Sequence, residues 1–179
     1  MKAQLMIAAL LLAGAAHAQH QPYAGQHERE IKALSADEVK QYLSGAGMGY
    51  AKSAELNHYP GPGHALEFAD KLGLSSEQRA ATKELANEHH VEARAIGAKL
   101  VEAERELEQL FRSGQVDQAA LARAVRAASQ LQGEYRLSHL ETHRRMRALL
   151  TAEQVERYNA LRGYADQPGA RHRGQHRTN

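Results

Sequence analysis

The chain has 179 residues, and 23 Lys and Arg face 21 Asp and Glu, for a formal net charge of +2. A charge this close to neutral argues against a dedicated nucleic-acid-binding protein, whose affinity comes from neutralising phosphates. The chain has no Cys, no Trp and only two Phe, which argues against a β-sandwich or barrel, and its Ala-rich hydrophobic fraction favours an all-α protein.

The N-terminus has the three parts of a secretory signal peptide. Lys2 is a short positive region, residues 5–13 are apolar, and Ala16, His17 and Ala18 form an A-x-A cleavage site. The apolar run is too short to cross a bilayer, so no stable membrane insertion is expected. The sequence therefore predicts a signal peptide over residues 1–18, cleaved after Ala18, and export to the periplasm.

Two segments precede the main helical region. Residues 19–30 are polar and aperiodic, which predicts a flexible mature N-terminus. Residues 31–61 form a helical lead-in rich in Gly and Pro, in which Ser35 and Glu38 make a capping box for a short helix. The glycines at 45–49 predict a break in that helix, because no strand precedes them and the spacing lacks the third glycine of a phosphate-binding loop.

Residues 62–164 are predicted to form one domain built on a long antiparallel helical hairpin. A short helix at 64–72 precedes two arms within residues 76–149, which fold back at residues 112–115. Along both arms, apolar residues recur at alternating steps of about three and four, the spacing of a helix that faces a partner helix. The predicted seam consists of Ile96, Leu100, Ala103, Leu107 and Leu110 on the first arm and Leu121, Val125, Ala128, Tyr135, Thr142, Met146 and Leu149 on the second.

The ends of this domain follow from the same patterns. A last short helix is expected at 151–164, and the basic tail at 165–179 should be disordered, because it has almost no apolar residues. Arms of about 35 residues would each be about 50 Å long. A hairpin so long and thin has little core of its own, so flanking helices or a second copy of the chain should cover it.

Two five-residue boxes of the form L-[S/T]-x-x-Q stand at the two ends of the hairpin. The Ser or Thr hydroxyl can accept a hydrogen bond from the first turn of the helix that follows, and the Gln can reach back to the cap residue. Two boxes that bracket one hairpin behind a signal peptide are far more specific than one capping box. The residues that define them are Leu74, Ser75, Gln78, Leu150, Thr151 and Gln154.

On these residues the chain resembles the LTxxQ-motif family of periplasmic proteins, the CpxP/Spy-type chaperones and related heavy-metal-resistance sensors. The second box matches the motif in full, and the first has Ser75 in place of Thr. The resemblance implies a cradle-like homodimer of all-α hairpins. It also implies a protein that binds unfolded envelope proteins without ATP, damps a sensor protein, or binds transition metals.

Four of the eleven histidines lie where the hairpin could bring its arms together. If the chain turns near residue 114, His89 lies opposite His139, and His143 follows one turn later on the same face. These three imidazoles, with Glu92 or Glu141 nearby, would suit Zn, Cu, Ni or Co rather than Ca or Mg. The alternative is that they are solvated surface histidines. No cofactor is required, and a transition metal is the one that the sequence suggests.

A second candidate surface lies on the second arm, away from the seam. Two leucines there form another apolar stripe, and a helix with two apolar stripes needs two partners. Arginines flank it, and their stems can cover apolar surface while their charged ends stay in water. The alternative is a solvated helix surface with i,i+4 ion pairs. The stripe and its arginines are Arg136, Leu137, Leu140, Arg144 and Arg147.

The sequence thus predicts an ATP-independent periplasmic chaperone or envelope-stress adaptor, with a periplasmic heavy-metal-binding sensor or resistance protein as the alternative. Its expected partners are a second copy of the chain and unfolded envelope proteins or a sensor protein. No nucleophilic cysteine, nucleophile elbow or isolated carboxylate pair is present, so the protein is not expected to be an enzyme.

Overall fold

A computed structural model describes residues 23–164 as an all-α fold built on one long antiparallel hairpin. The predicted signal peptide and the predicted C-terminal tail lie outside the described residues. In chain order, the α-helices are α1 (Ala36–Ser44), α2 (Lys52–Glu55), α3 (Pro62–Glu67), α4 (Ala69–Leu72), α5 (Ser76–Arg112), α6 (Gln118–Leu149) and α7 (Ala152–Arg162). The predicted fold class is confirmed, while the predicted single helix at 64–72 is divided into α3 and α4 at Phe68.

The turn of the hairpin lies where the sequence placed it. Helix α5 is followed by Gly114 in the left-handed conformation, with a φ of 68° that a residue without a Cβ adopts most readily. Asp117 then begins α6, and its Oδ1 accepts hydrogen bonds of 2.8 Å from the backbone N–H groups of Ala119 and Ala120. These caps satisfy backbone groups that a helix end leaves free, which fixes where the two arms begin and end.

Two separate hydrophobic clusters stabilise the hairpin. The first lies at its open end, where α3, α4 and α7 pack against the arms around Leu72, Met146 and Tyr158. The second lies halfway along the arms, where the lead-in packs against them around Tyr42, Leu100 and Tyr135. The flanking helices therefore supply much of the core that the two arms alone lack.

The lead-in is held against α5 by a close approach of two backbones. Gly97 is a glycine inside a helix, and a Cβ built on it would lie 2.1 Å from the carbonyl oxygen of Tyr42. The absence of a side chain at Gly97 is therefore what allows the end of α1 to reach α5. Helix α1 then ends at Gly45 with a φ of 71°, which confirms the predicted break. The chain continues through Tyr50 across the middle of the hairpin.

The tip of the hairpin is covered much less than the rest. Val125, predicted on the seam, is 44% exposed, and Phe111 is 60% exposed. The seam pattern fails there because no other described helix packs over this end. Ion pairs join the chain before α1 to α5 near the tip, between Lys32 and Glu108 and between Glu30 and Arg105. Within residues 23–164, no helix is long and apolar enough to span a membrane.

Candidate functional site

The hairpin brings two of the three predicted histidines into direct contact. Nε2 of His89 on α5 lies 2.9 Å from Nδ1 of His139 on α6, and the ring centroids are 4.4 Å apart. The sequence register predicted this pair, because both residues continue the apolar seams of their arms. His90, the neighbour of His89, is exposed instead.

Two tyrosine rings pack against the His139 side of this histidine pair. The ring of Tyr50 stacks on His139 at 6.4 Å with an angle of 8° between the planes, and Tyr135 meets His139 edge-on at 4.7 Å. Tyr135 itself is fully buried. Burial, and to a lesser extent positive charge on His89 or His143, lowers the pKa of His139 to about 4. Burial also lowers the pKa of His89. Both imidazoles are therefore neutral at pH 7.

The outer nitrogens of the pair have no partner within the described part of the chain. Nδ1 of His89 and Nε2 of His139 are both buried and make no hydrogen bond there. Since a hydrogen bond between two neutral imidazoles uses one N–H and one lone pair, one outer nitrogen carries a proton and the other a free lone pair. Unsatisfied polar atoms in a buried position are uncommon and are often found at functional sites.

The third predicted ligand, His143, lies in a different set of contacts. Its Nδ1 is 2.8 Å from the carbonyl oxygen of Tyr59 and 3.5 Å from Oε2 of Glu55. A carbonyl only accepts, so Nδ1 carries the proton and Nε2 of a neutral ring has the lone pair. A Cβ on Gly61 would lie 3.0 Å from that Nε2. The Pro-Gly segment therefore holds His143 away from the other two histidines.

Glu55 connects this segment to the end of the fold. Its Oε1 accepts hydrogen bonds from the hydroxyl of Tyr158 at 2.7 Å and from Nε of Arg162 at 3.2 Å. Its Oε2 is buried and makes no hydrogen bond in the described structure. No local sequence pattern indicates a role for this carboxylate, because its partners are about a hundred residues away along the chain. Among residues 23–164, no three His, Asp or Glu side chains are grouped closely enough to hold one metal ion.

The residues of the predicted client surface have different surroundings. Leu137 is 63% exposed, and Leu140 next to it is partly buried. The Arg144 guanidinium is paired with Glu141 through two hydrogen bonds, of 2.7 and 2.6 Å. Arg136 lies over the ring of Tyr50 at 5.2 Å. Arg147 is partly buried, so the stripe has one exposed leucine beside arginines that are paired, stacked on a ring or partly buried.

The two L-[S/T]-x-x-Q boxes form the predicted capping boxes. The hydroxyl of Ser75 accepts from the N–H of Gln78, and the hydroxyl of Thr151 accepts from the N–H of Gln154. The side-chain Oε1 of each Gln in turn accepts a hydrogen bond from the N–H of its cap residue, at 3.0 Å in both boxes. Leu74 and Leu150 are buried in the first hydrophobic cluster.

The boxes also contact each other, which the sequence reasoning missed. Nε2 of Gln78 donates to Oε1 of Gln154 at 2.8 Å, and Nε2 of Gln154 donates to Oε1 of Gln78 at 2.9 Å. Each amide also donates to a backbone carbonyl, that of Leu149 for Gln78 and that of Gly73 for Gln154. The repeated motif could have indicated this contact, because it places a glutamine at both ends of the hairpin, and two glutamine amides can hydrogen-bond reciprocally.

Comparison with known proteins agrees with this motif. A family model described as heavy-metal resistance matches residues 3–157. Searches of curated proteins and of solved structures found no match. The family match includes both arms of the hairpin and the whole second box. The chain therefore belongs to the heavy-metal-resistance family of LTxxQ-type proteins.

Proposed function

We propose that this protein is an exported, periplasmic heavy-metal-binding protein of the sensor or resistance type, and that it binds a transition metal ion between His89 and His139. The observation that carries this proposal is the 2.9 Å contact between two neutral imidazole nitrogens from opposite arms of the hairpin. Family membership favours this function over the chaperone function that the sequence alone favoured.

The distance between the two nitrogens is compatible with a shared ion after a small movement. Two nitrogens bound to one tetrahedral ion at about 2.0–2.1 Å are roughly 3.3 Å apart, whereas Nε2 of His89 and Nδ1 of His139 are 2.9 Å apart. When the ion binds, the proton that the two rings share would move to the outer nitrogen with the free lone pair, so that both inner nitrogens present a lone pair to the ion. Imidazole donors suit Zn, Cu, Ni or Co. His143, one helical turn from His139, is the candidate third ligand if its ring leaves the Tyr59 carbonyl.

Thermal melting with and without each of these metals tests the proposal. A bound metal stabilises the folded state by about 2.7 kcal/mol when its free concentration is a hundred times Kd. We expect a metal-dependent rise in Tm that His89→Ala and His139→Ala each abolish. His90→Ala is the matched control, because His90 is the exposed neighbour of His89 on the same helix, and it should keep the full rise.

Two results would decide against this site. If the rise in Tm survives both His89→Ala and His139→Ala, the metal binds elsewhere on the chain. If none of the four metals changes Tm at any concentration, the metal-binding proposal fails. His143→Ala separates two from three ligands, since it weakens binding only if the ring joins the site.

The exposed side chain of Leu137 favours a second candidate function, an ATP-independent chaperone or stress adaptor. An apolar side chain that is 63% exposed beside arginines can contact an unfolded chain. Leu137→Ser should then reduce suppression of client aggregation without changing Tm. Val91→Ser is the matched control, because Val91 is 70% exposed on the other arm. Equal loss in both variants would show nonspecific hydrophobic adsorption.

A further inference from the structure

A cavity of about 570 Å³ lies between α1, the loop that follows it and the middle of α6. Its walls include Glu38, Tyr42 and Tyr50 from the lead-in and Gln132, Gly133 and Arg136 from α6. The cavity is separate from the histidine pair, although the ring of Tyr50 borders both. Its size is within the range of small-molecule binding sites in proteins, about 300–1,000 Å³.

One side of the cavity offers hydrogen-bond donors and a positive charge. The guanidinium of Arg136 lies over the ring of Tyr50 and makes no ion pair with any residue in 23–164. The hydroxyls of Tyr42 and Tyr50 are 2.8 Å apart, and Gln132 donates to the Tyr50 hydroxyl at 3.2 Å. Only one of the two hydroxyl protons is used between the tyrosines, so one remains to be donated. A free guanidinium and a free hydroxyl proton suit a carboxylate.

The other side of the cavity offers a negative charge. Both hydrogen bonds that the Glu38 carboxylate accepts, from the N–H and the hydroxyl of Ser35, go to Oε2. Its Oε1 makes no hydrogen bond with the described residues. The hydrogen bond from the Ser35 backbone lowers the pKa of Glu38, so the carboxylate is charged at neutral pH. An ammonium group would complement it.

Gly133 leaves room in the wall of this cavity for a group that lies close to α6. A glycine inside a helix costs about 1 kcal/mol relative to alanine, and such a cost usually has a packing reason. At Gly97 the reason is the Tyr42 carbonyl, but a Cβ on Gly133 would meet nothing within 4 Å. The space above Gly133 opens into the cavity, so a ligand that lies close to α6 would account for the missing side chain.

We propose that this cavity binds a small zwitterion of the amino-acid type, up to the size of a dipeptide. Its carboxylate would lie at Arg136 and the tyrosine hydroxyls, its ammonium at Glu38, and its apolar part against the rings of Tyr42 and Tyr50. Glu38 would repel a simple anion in the cavity, and Arg136 would repel a simple cation. A zwitterion uses both charges.

Isothermal titration calorimetry on the full mature protein, without metal, tests this site. The probes are L-phenylalanine and L-alanyl-L-phenylalanine. The controls are N-acetyl-L-phenylalanine, which lacks the ammonium, L-phenylalaninamide, which lacks the carboxylate, and N-acetyl-L-phenylalaninamide, which lacks both. We expect at least one zwitterion to bind, and each blocked compound to bind at least about tenfold more weakly, a difference of about 1.4 kcal/mol.

Three substitutions assign the binding to this cavity. Arg136→Gln removes the positive charge, and Arg126→Gln is its control, an exposed arginine on the same helix. Glu38→Gln removes the negative charge but keeps the capping box, which accepts either residue. Gly133→Leu fills the space above α6. Arg136→Gln, Glu38→Gln and Gly133→Leu should each bind the zwitterion at least tenfold more weakly. Arg126→Gln should bind it as the original chain does.

Each contrary result overturns the proposal. If neither zwitterion gives saturable heat up to about 10 mM, the cavity has no such ligand. Binding weaker than that would supply less than about 3 kcal/mol. Equal binding of zwitterions and blocked compounds means nonspecific adsorption to the tyrosines. If Gly133→Leu changes the mass of the protein in sedimentation, a second copy of the chain occupies the space instead.

Discussion

Gly97 and Gly133 are both glycines inside long helices, yet their surroundings differ completely. Gly97→Ala would place a Cβ 2.1 Å from the Tyr42 carbonyl oxygen, so α1 would have to move away from α5. Gly133→Ala would place a Cβ in open space and would gain helix propensity. We expect Gly97→Ala to lower the free energy of unfolding by about 2–3 kcal/mol and Gly133→Ala to raise it by roughly 0.5–1 kcal/mol.

Urea denaturation followed by far-UV circular dichroism measures both changes on the same scale. Each variant is the control for the other, since the chemical change is identical and only the environment differs. If the two substitutions change stability equally, the close approach of α1 to α5 is not what Gly97 provides.

His139 should make the stability of the metal-free protein depend on pH. Its pKa falls from 6.5 to about 4 in the folded state, mainly through burial. Between these values the unfolded chain binds a proton that the folded chain does not, so stability falls as pH is lowered from about 6.5 to about 4. The free energy of unfolding does not change with His139 protonation above about pH 6.5. Below about pH 4 the protonation of His139 has lowered it by about 3 kcal/mol.

Urea midpoints at pH 7.5, 6 and 5 with a chelator present measure this slope. Carboxylates such as Glu38, whose pKa is lowered in the folded state, also lose stability in acid. The relevant quantity is therefore the difference between the original chain and His139→Gln. The slope between pH 7.5 and 5 should be clearly smaller in His139→Gln. Parallel slopes would mean that His139 is protonated as easily in the folded as in the unfolded chain.

At the scale of the helices, the two capping boxes act as one unit through their glutamines. Gln78→Ala and Gln154→Ala each remove the reciprocal amide bonds, and they also remove one hydrogen bond to the Leu149 carbonyl and to the Gly73 carbonyl, respectively. We expect each substitution alone to cost about 1–3 kcal/mol and the double variant to cost less than the sum, with a coupling energy of roughly 1–2 kcal/mol. Gln109→Ala, at an exposed glutamine on α5, should change stability little. Additive costs for Gln78→Ala and Gln154→Ala would mean that the boxes cap their helices independently.

Local signals made most of the helices predictable from the sequence. The turn at Gly114, the cap at Asp117 and the capping boxes depend on residues within four positions of each other. The contact between His89 and His139 was predictable as well, because a helical hairpin in known register fixes which residues face each other. The docking of the glutamines was not predicted, since each box was interpreted as a cap for its own helix.

The contacts that the sequence did not predict join segments far apart in the chain. His143 was expected beside His139, but the Tyr59 carbonyl and Glu55 hold its ring. Nothing local to His143 indicates that a Pro-Gly segment more than eighty residues earlier packs against it. Likewise, the stacking of Tyr50 on His139 depends on the close approach at Gly97, which only the three-dimensional structure reveals.

At the scale of the whole molecule, stability should be unevenly distributed along the hairpin. The two hydrophobic clusters lie at its open end and its middle, and within the described chain neither includes a side chain from beyond Val101 on α5 or before Leu131 on α6. Toward the tip, Leu107, Leu110 and Leu121 are only partly buried, and Phe111 and Val125 are exposed. Local opening should therefore cost less free energy at the tip than in the middle.

Hydrogen exchange measured by mass spectrometry tests this gradient on the intact protein. In the monomer, backbone amides near Leu110 and Leu121 should exchange well before those near Leu100 and Tyr135, although all lie in long helices. The exchange is measured at two protein concentrations to test for a homodimer. A homodimer that covers the tip would protect its amides only at the higher protein concentration. Uniform protection along both arms at the lower concentration would contradict the gradient, since the exposed tip would then be as stable as the packed middle.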